Sequence, residues 1–119
     1  MAAARRVTFG LLAATFGAAA AFHLAAALRP AIDPTASPPR HAAFVAVNLA
    51  CALGFVVRPK WFVFAFGALV AQQLVSHGGQ AWREWQGAGR VDVASLGVLA
   101  IMPLALWLLV ADARPAARG

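Results

Sequence analysis

The chain has 119 residues, 62% of them hydrophobic and only 12% charged, with a mean hydropathy of +0.74. A water-soluble domain of this length is nearer half apolar with about a quarter charged, because it must cover itself with polar groups. The composition is too apolar for disorder, has no glycine period for collagen, and holds one cysteine, Cys51, which rules out a disulfide scaffold. One small integral membrane domain is the class that remains.

A helix needs about 20 residues to cross ~30 Å of hydrocarbon, and helices or closed barrels are the only backbones that satisfy their own hydrogen bonds there. Four apolar runs, each ended by charges, prolines or glycines, predict spans at about 7–28, 41–57, 60–77 and 92–110, joined on one side by loops 29–40 and 78–91. The runs are continuous and rich in Ala and Leu, without the period-2 alternation of a barrel. The predicted fold is all-α: an integral membrane bundle of four transmembrane helices in a single domain, 1–119.

The first run follows Arg5-Arg6, as a secretory signal would, but its 22 apolar residues exceed the core of such a signal. It is expected to be retained as a helix. Loop 29–40 carries Pro30, Pro34, Pro38 and Pro39, so it should be an extended strap that continues neither neighbouring helix. Between spans two and three stands only Arg58-Pro59-Lys60, which predicts a tight helical hairpin and puts His41 and His77 at one level. In loop 78–91, Trp82 and Trp85 flank Arg83 and Glu84 between glycines, the pattern of a short amphipathic turn in the headgroup layer. Gly10 and Gly17 mark a packing face on span one, and Pro103 should kink span four.

Lys and Arg near span ends set orientation. The side holding both termini carries Arg5, Arg6, Arg58, Lys60, Arg114 and Arg118 against Asp112, 6 − 1 = +5; the other carries Arg29, Arg40, Arg83 and Arg90 against Asp33, Glu84 and Asp92, 4 − 3 = +1. Both termini are therefore expected in the cytoplasm. The net charge of +6 would suggest nucleic acid in a soluble protein, but these cations are scattered at the water ends of apolar runs, where they anchor lipid headgroups. High Ala, Arg and Gly usage fits a GC-rich bacterial genome, hence an inner membrane. In length and span count the chain resembles the small bacterial four-helix membrane proteins, the DoxX-like group among them, and the resemblance extends to architecture alone.

Polar side chains inside a span are costly and are where function is sought. No Asp, Glu, Lys or Arg lies deep in a run, which disfavours a proton-exchanging exporter. All three histidines fall toward the end away from the termini. His41 and Asn48 share a face of span two, Gln73 and His77 a face of span three, and together they form a candidate polar seam. With donors beneath a lid of tryptophans, that seam suits a quinone-like lipid headgroup. His23, His41 and His77 with Asp92, or with Asp33 or Glu84 from the loops, suit zinc or copper. No His-x-x-x-His, Cys pair or Glu-x-x-His spacing supports either, and no residue is singled out as catalytic. The competing reading is that these groups only tie helix ends together, and that Cys51 is a packing residue.

The functional expectation is a non-catalytic accessory or structural subunit, packed by its small-residue faces within a larger membrane complex or a homo-oligomer. Minimal loops and the lack of a catalytic motif support it. The alternative is a small membrane enzyme or redox protein using the His/Gln/Asn cluster, and a third is a carrier of lipid or hydrophobic solute.

Overall fold

The computed structural model describes residues 2–114, and its chain is all-helical. The helices are α1 (Ala2–Leu28), α2 (Pro38–Val57), α3 (Phe62–Ala88) and α4 (Val93–Ala113). All four are long and apolar enough to cross a membrane. Arg118, one of the cations used to assign orientation, lies outside the described residues.

The chain forms two compact units that divide between Arg58 and Pro59. Each is a helical hairpin, α1 packed on α2 and α3 packed on α4.

In the first hairpin α1 buries Phe9, Phe16, Ala20 and Ala26, and α2 buries His41, Asn48, Cys51 and Phe55. The Phe55 ring stacks on Phe16 at 5.4 Å and on Phe9 at 6.2 Å. Helices in lipid associate through packing and interhelical hydrogen bonds rather than water expulsion, so this ring cluster and the alanines that let the backbones approach hold the pair. Arg58 closes the stack, its guanidinium 4.8 Å from the Phe9 centroid. It also ends α2 in a left-handed conformation (φ 51°), with its N–H bonded to the Gly54 carbonyl at 2.7 Å. Left-handed backbone is costly for a residue with a Cβ.

The strap is shorter than the prolines suggested. Ser37 is extended, and Pro38-Pro39 occupy the first helical positions of α2, where a missing N–H is harmless and a fixed φ is already helical. The connection is 29–37.

In the second hairpin α3 buries Phe62, Phe66, Val70 and Gln73, and α4 buries Ser95, Met102, Ala105 and Leu109. Gly67 lies under Leu106 and Gly78 under Leu99, where a Cβ would make ordinary contacts at 3.9 and 4.0 Å. The helix runs unbroken through Gly78-Gly79, where the sequence reading started a loop, and stops at Gly89 (φ 62°), whose N–H returns to the Trp85 carbonyl at 3.0 Å. A glycine inside a helix costs only ~1 kcal/mol, less than the bonds on either side supply. Trp82 and Trp85 therefore ride on the last turns of α3, both exposed. Pro103 stands inside α4, which stays helical from Val93 to Ala113.

The buried stripe of α2, His41, Asn48, Cys51 and Phe55, recurs 54 positions later in α4 as Ser95, Met102, Ala105 and Leu109. The two hairpins share a register although the paired residues differ in chemistry.

Candidate functional site

The polar groups gather where each hairpin turns. In the first hairpin, loop 29–37 follows an Asx turn: the Thr35 N–H donates to Asp33 Oδ1 at 3.0 Å, and the Thr35 hydroxyl donates to the same oxygen. Those two bonds hold the Asp33 carboxyl below the ordinary carboxylate range, with smaller help from the nearby imidazoles. The turn also presents the Asp33 main-chain carbonyl to His41 Nε2 at 3.3 Å, with Asp33 Oδ2 3.8 Å from that nitrogen.

His41 is 1% exposed, and its other ring nitrogen, Nδ1, lies 2.9 Å from Nδ1 of His23 on α1. Hydrogen-bond bookkeeping assigns the protons. A neutral imidazole has one donor and one acceptor. Nε2 of His41 donates to the Asp33 carbonyl, so its Nδ1 accepts, and His23 donates from Nδ1. A carbonyl-imidazole-imidazole chain thus runs from the loop to α1. His23 stacks on Phe44 at 5.0 Å and meets Phe22 edge-on at 5.3 Å. On α2, the Arg40 guanidinium stands 5.9 Å from the Phe44 centroid.

The second hairpin is closed differently. Asp92 caps α4, accepting from the Ser95 N–H at 3.0 Å and from the Ser95 hydroxyl at 2.6 Å. Ser95 is 1% exposed, and its oxygen lies 3.0 Å from His77 Nδ1. With its proton given to Asp92, the hydroxyl accepts from His77. A serine between histidine and aspartate is the reverse of a nucleophilic triad, in which the histidine must reach the hydroxyl proton. This chain caps a helix and fastens α3 to α4. The Ser95 bonds, joined by Gln80, hold the Asp92 carboxyl below its usual range.

The remaining candidates are bonded locally. Asn48 donates from its side-chain nitrogen to the Phe44 carbonyl of its own helix at 2.8 Å, and Gln73 donates to the side chain of Gln72 at 2.8 Å. Thr8 and Thr15 bond the carbonyls four residues back, Ala4 and Leu11. Of the four metal candidates, His23 pairs with His41, and His77 joins Asp92 through Ser95. Among the described residues no three His, Cys, Asp or Glu side chains converge as a metal cluster.

Sequence reasoning applied the level-pair argument to the Arg58-Pro59-Lys60 link and missed it in the Pro-rich loop. His23 stands nine residues before Ile32 and His41 nine after, which makes them level in a hairpin centred there. Asp92 was legible as the cap of α4, with Ser95 three positions on as its donor. No protein-family model, no curated protein and no solved structure matches the chain.

Proposed function

We propose that the protein is a non-catalytic accessory or structural subunit of a bacterial inner membrane, with both termini cytoplasmic, packing within a larger membrane complex or with copies of itself. One observation carries this reading: among the described residues Thr8, Thr15, Asn48, Gln73 and the three histidines bond within the chain, while large apolar side chains stay exposed. Thr8, Thr15 and Asn48 bond their own helices, and His77, Ser95 and Asp92 form one chain. Leu11, Leu53, Phe64, Val75, Leu104 and Trp107 all remain exposed. Such surfaces suit lipid and neighbouring helices, which associate in a bilayer through packing and scattered hydrogen bonds.

Native mass spectrometry from mild detergent tests it. The expected spectrum shows the chain with partner subunits or as a defined homo-oligomer; a bare monomer at every detergent concentration overturns the reading.

A second reading, a small membrane redox or metal protein, has one observation in its favour. That is the ring-to-ring contact of His23 and His41 backed by Asp33.

A further inference from the structure

Two imidazole nitrogens do not face each other at 2.9 Å unless an electrophile lies between them, since two lone pairs repel. In the metal-free pair that electrophile is one proton. It is the N–H proton of a neutral pair, and a metal ion that took both Nδ1 lone pairs would lie on the same line.

Three features narrow the choice. The first is orientation. His41 turns its Nε2–H toward the Asp33 carbonyl and carboxylate, which is how ligating histidines are held, with the other nitrogen aimed at the ion. The second is ligand number. No third His, Cys, Asp or Glu among the described residues joins the pair, and Asp33 lies on the far side of the His41 ring. Zinc asks for four ligands, Cu(II) for a tetragonal set, and calcium or magnesium for oxygens. The third is an apolar setting: His41 is 1% exposed, and the part-exposed His23 stacks on Phe44 beside the exposed Phe22, a surface that offers few further ligands.

We propose that His23 and His41 form a two-coordinate site for a soft monovalent metal ion, copper(I) in the cell and silver(I) as its chemical equivalent. Metal–imidazole bonds of about 2 Å put two nitrogens roughly 3 to 4 Å apart on one ion. An in-line ion therefore asks the nitrogens to move apart by about 1 Å from their present 2.9 Å. Binding balances without a proton leaving the protein: the His23 proton moves from Nδ1 to Nε2, both rings stay neutral, and both Nδ1 lone pairs reach the metal. The ion's single positive charge is offset by the Asp33 carboxylate behind His41. The Arg40 guanidinium lies 5.9 Å from the centroid of Phe44, the ring on which His23 stacks. Acid competes with the ion, because an imidazolium offers no lone pair.

This site is independent of the subunit role: a bare monomer in the mass spectrum leaves it standing, and its own failure leaves the packing argument intact. The test uses the full chain in detergent, titrated with silver(I), and with copper(I) kept reduced, against a chromophoric chelator. The expected result is one ion per chain, no retained zinc under the same conditions, and 15N histidine spectra of the wild-type protein in which Nδ1 of His23 and of His41 shift while His77 does not. His23→Ala and His41→Ala should each weaken binding at least ~100-fold, Asp33→Asn about 10-fold, and His77→Ala not at all. The proposal is overturned if the wild-type protein retains no ion against the chelator, if the His77 signals move instead, or if both single histidine variants bind as the wild type does. The wild-type spectra decide the matter even if a variant fails to fold.

Discussion

The two hairpins solve one problem with different chemistry. Each joins its helices near the turn through side chains 18 residues apart, His23 to His41 and His77 to Ser95, and each backs that contact with an aspartate from outside the helices. In the second hairpin the middle group is a hydroxyl, which passes its proton to a carboxylate and accepts from the histidine. Every proton there is committed, so the result is a helix cap. In the first hairpin the middle group is a second imidazole, whose far nitrogen is occupied by the loop and whose near nitrogen keeps a lone pair. Exchanging one side chain at one register position turns a fastening into a cation site.

Seven substitutions at six positions and one solution condition sharpen that contrast. The largest effect is expected in the ring stack. In lipid a lost side chain forfeits packing more than water transfer, so Phe55→Ala, which loses two ring stacks, should destabilise by about 3 kcal/mol and Leu109→Ala, a buried aliphatic residue, by about 2 kcal/mol. Reversible unfolding in mixed micelles measures both, and equal losses would remove the special role of the stack. Next come the polar links: His41→Ala should cost about 2 kcal/mol because it strands both the Asp33 carbonyl and the His23 donor, whereas Ser95→Ala should cost about 1 kcal/mol.

How much of this was legible in the sequence varies with the physics that fixed it. Span number came from apolar length, which depends on nothing tertiary, and four helices of sufficient length are present. Helix ends were less legible. Pro38-Pro39 read as a strap yet start α2, and Gly78-Gly79 read as a break yet lie inside α3, because proline suits a first turn and glycine is tolerated mid-helix. The histidines were legible as part of the polar minority of the spans. The pairing of His23 with His41 was not, since it depends on where the loop centres rather than on any local spacing.

Acid should act on both turns alike. The Asp33 and Asp92 carboxyls are held below their unfolded value of about 3.9 by Thr35 and Ser95. A depressed carboxyl contributes stability that is fully present above the unfolded value and lost as pH falls through the folded one. The melting temperature should therefore stay free of this contribution's loss at neutral pH and decline below about pH 4. Asp92→Asn, which keeps the capping oxygen, should flatten part of that decline.

The smallest expected effect is at Arg58. Its left-handed backbone favours glycine, while its guanidinium contributes ~0.5–1 kcal/mol over Phe9. Arg58→Gly loses the ring contact but relieves the backbone, so it should unfold later than Arg58→Ala, which loses the contact and relieves nothing. The reverse order would show that the left-handed turn carries no strain.

The contrast between the hairpins turns on whether one proton joins two imidazole rings. In 15N-labelled protein at neutral pH, the account predicts a scalar coupling across the hydrogen bond between Nδ1 of His23 and Nδ1 of His41, and no nitrogen partner for His77. Three histidines that titrate as separate rings, with no nitrogen-to-nitrogen coupling, would contradict it.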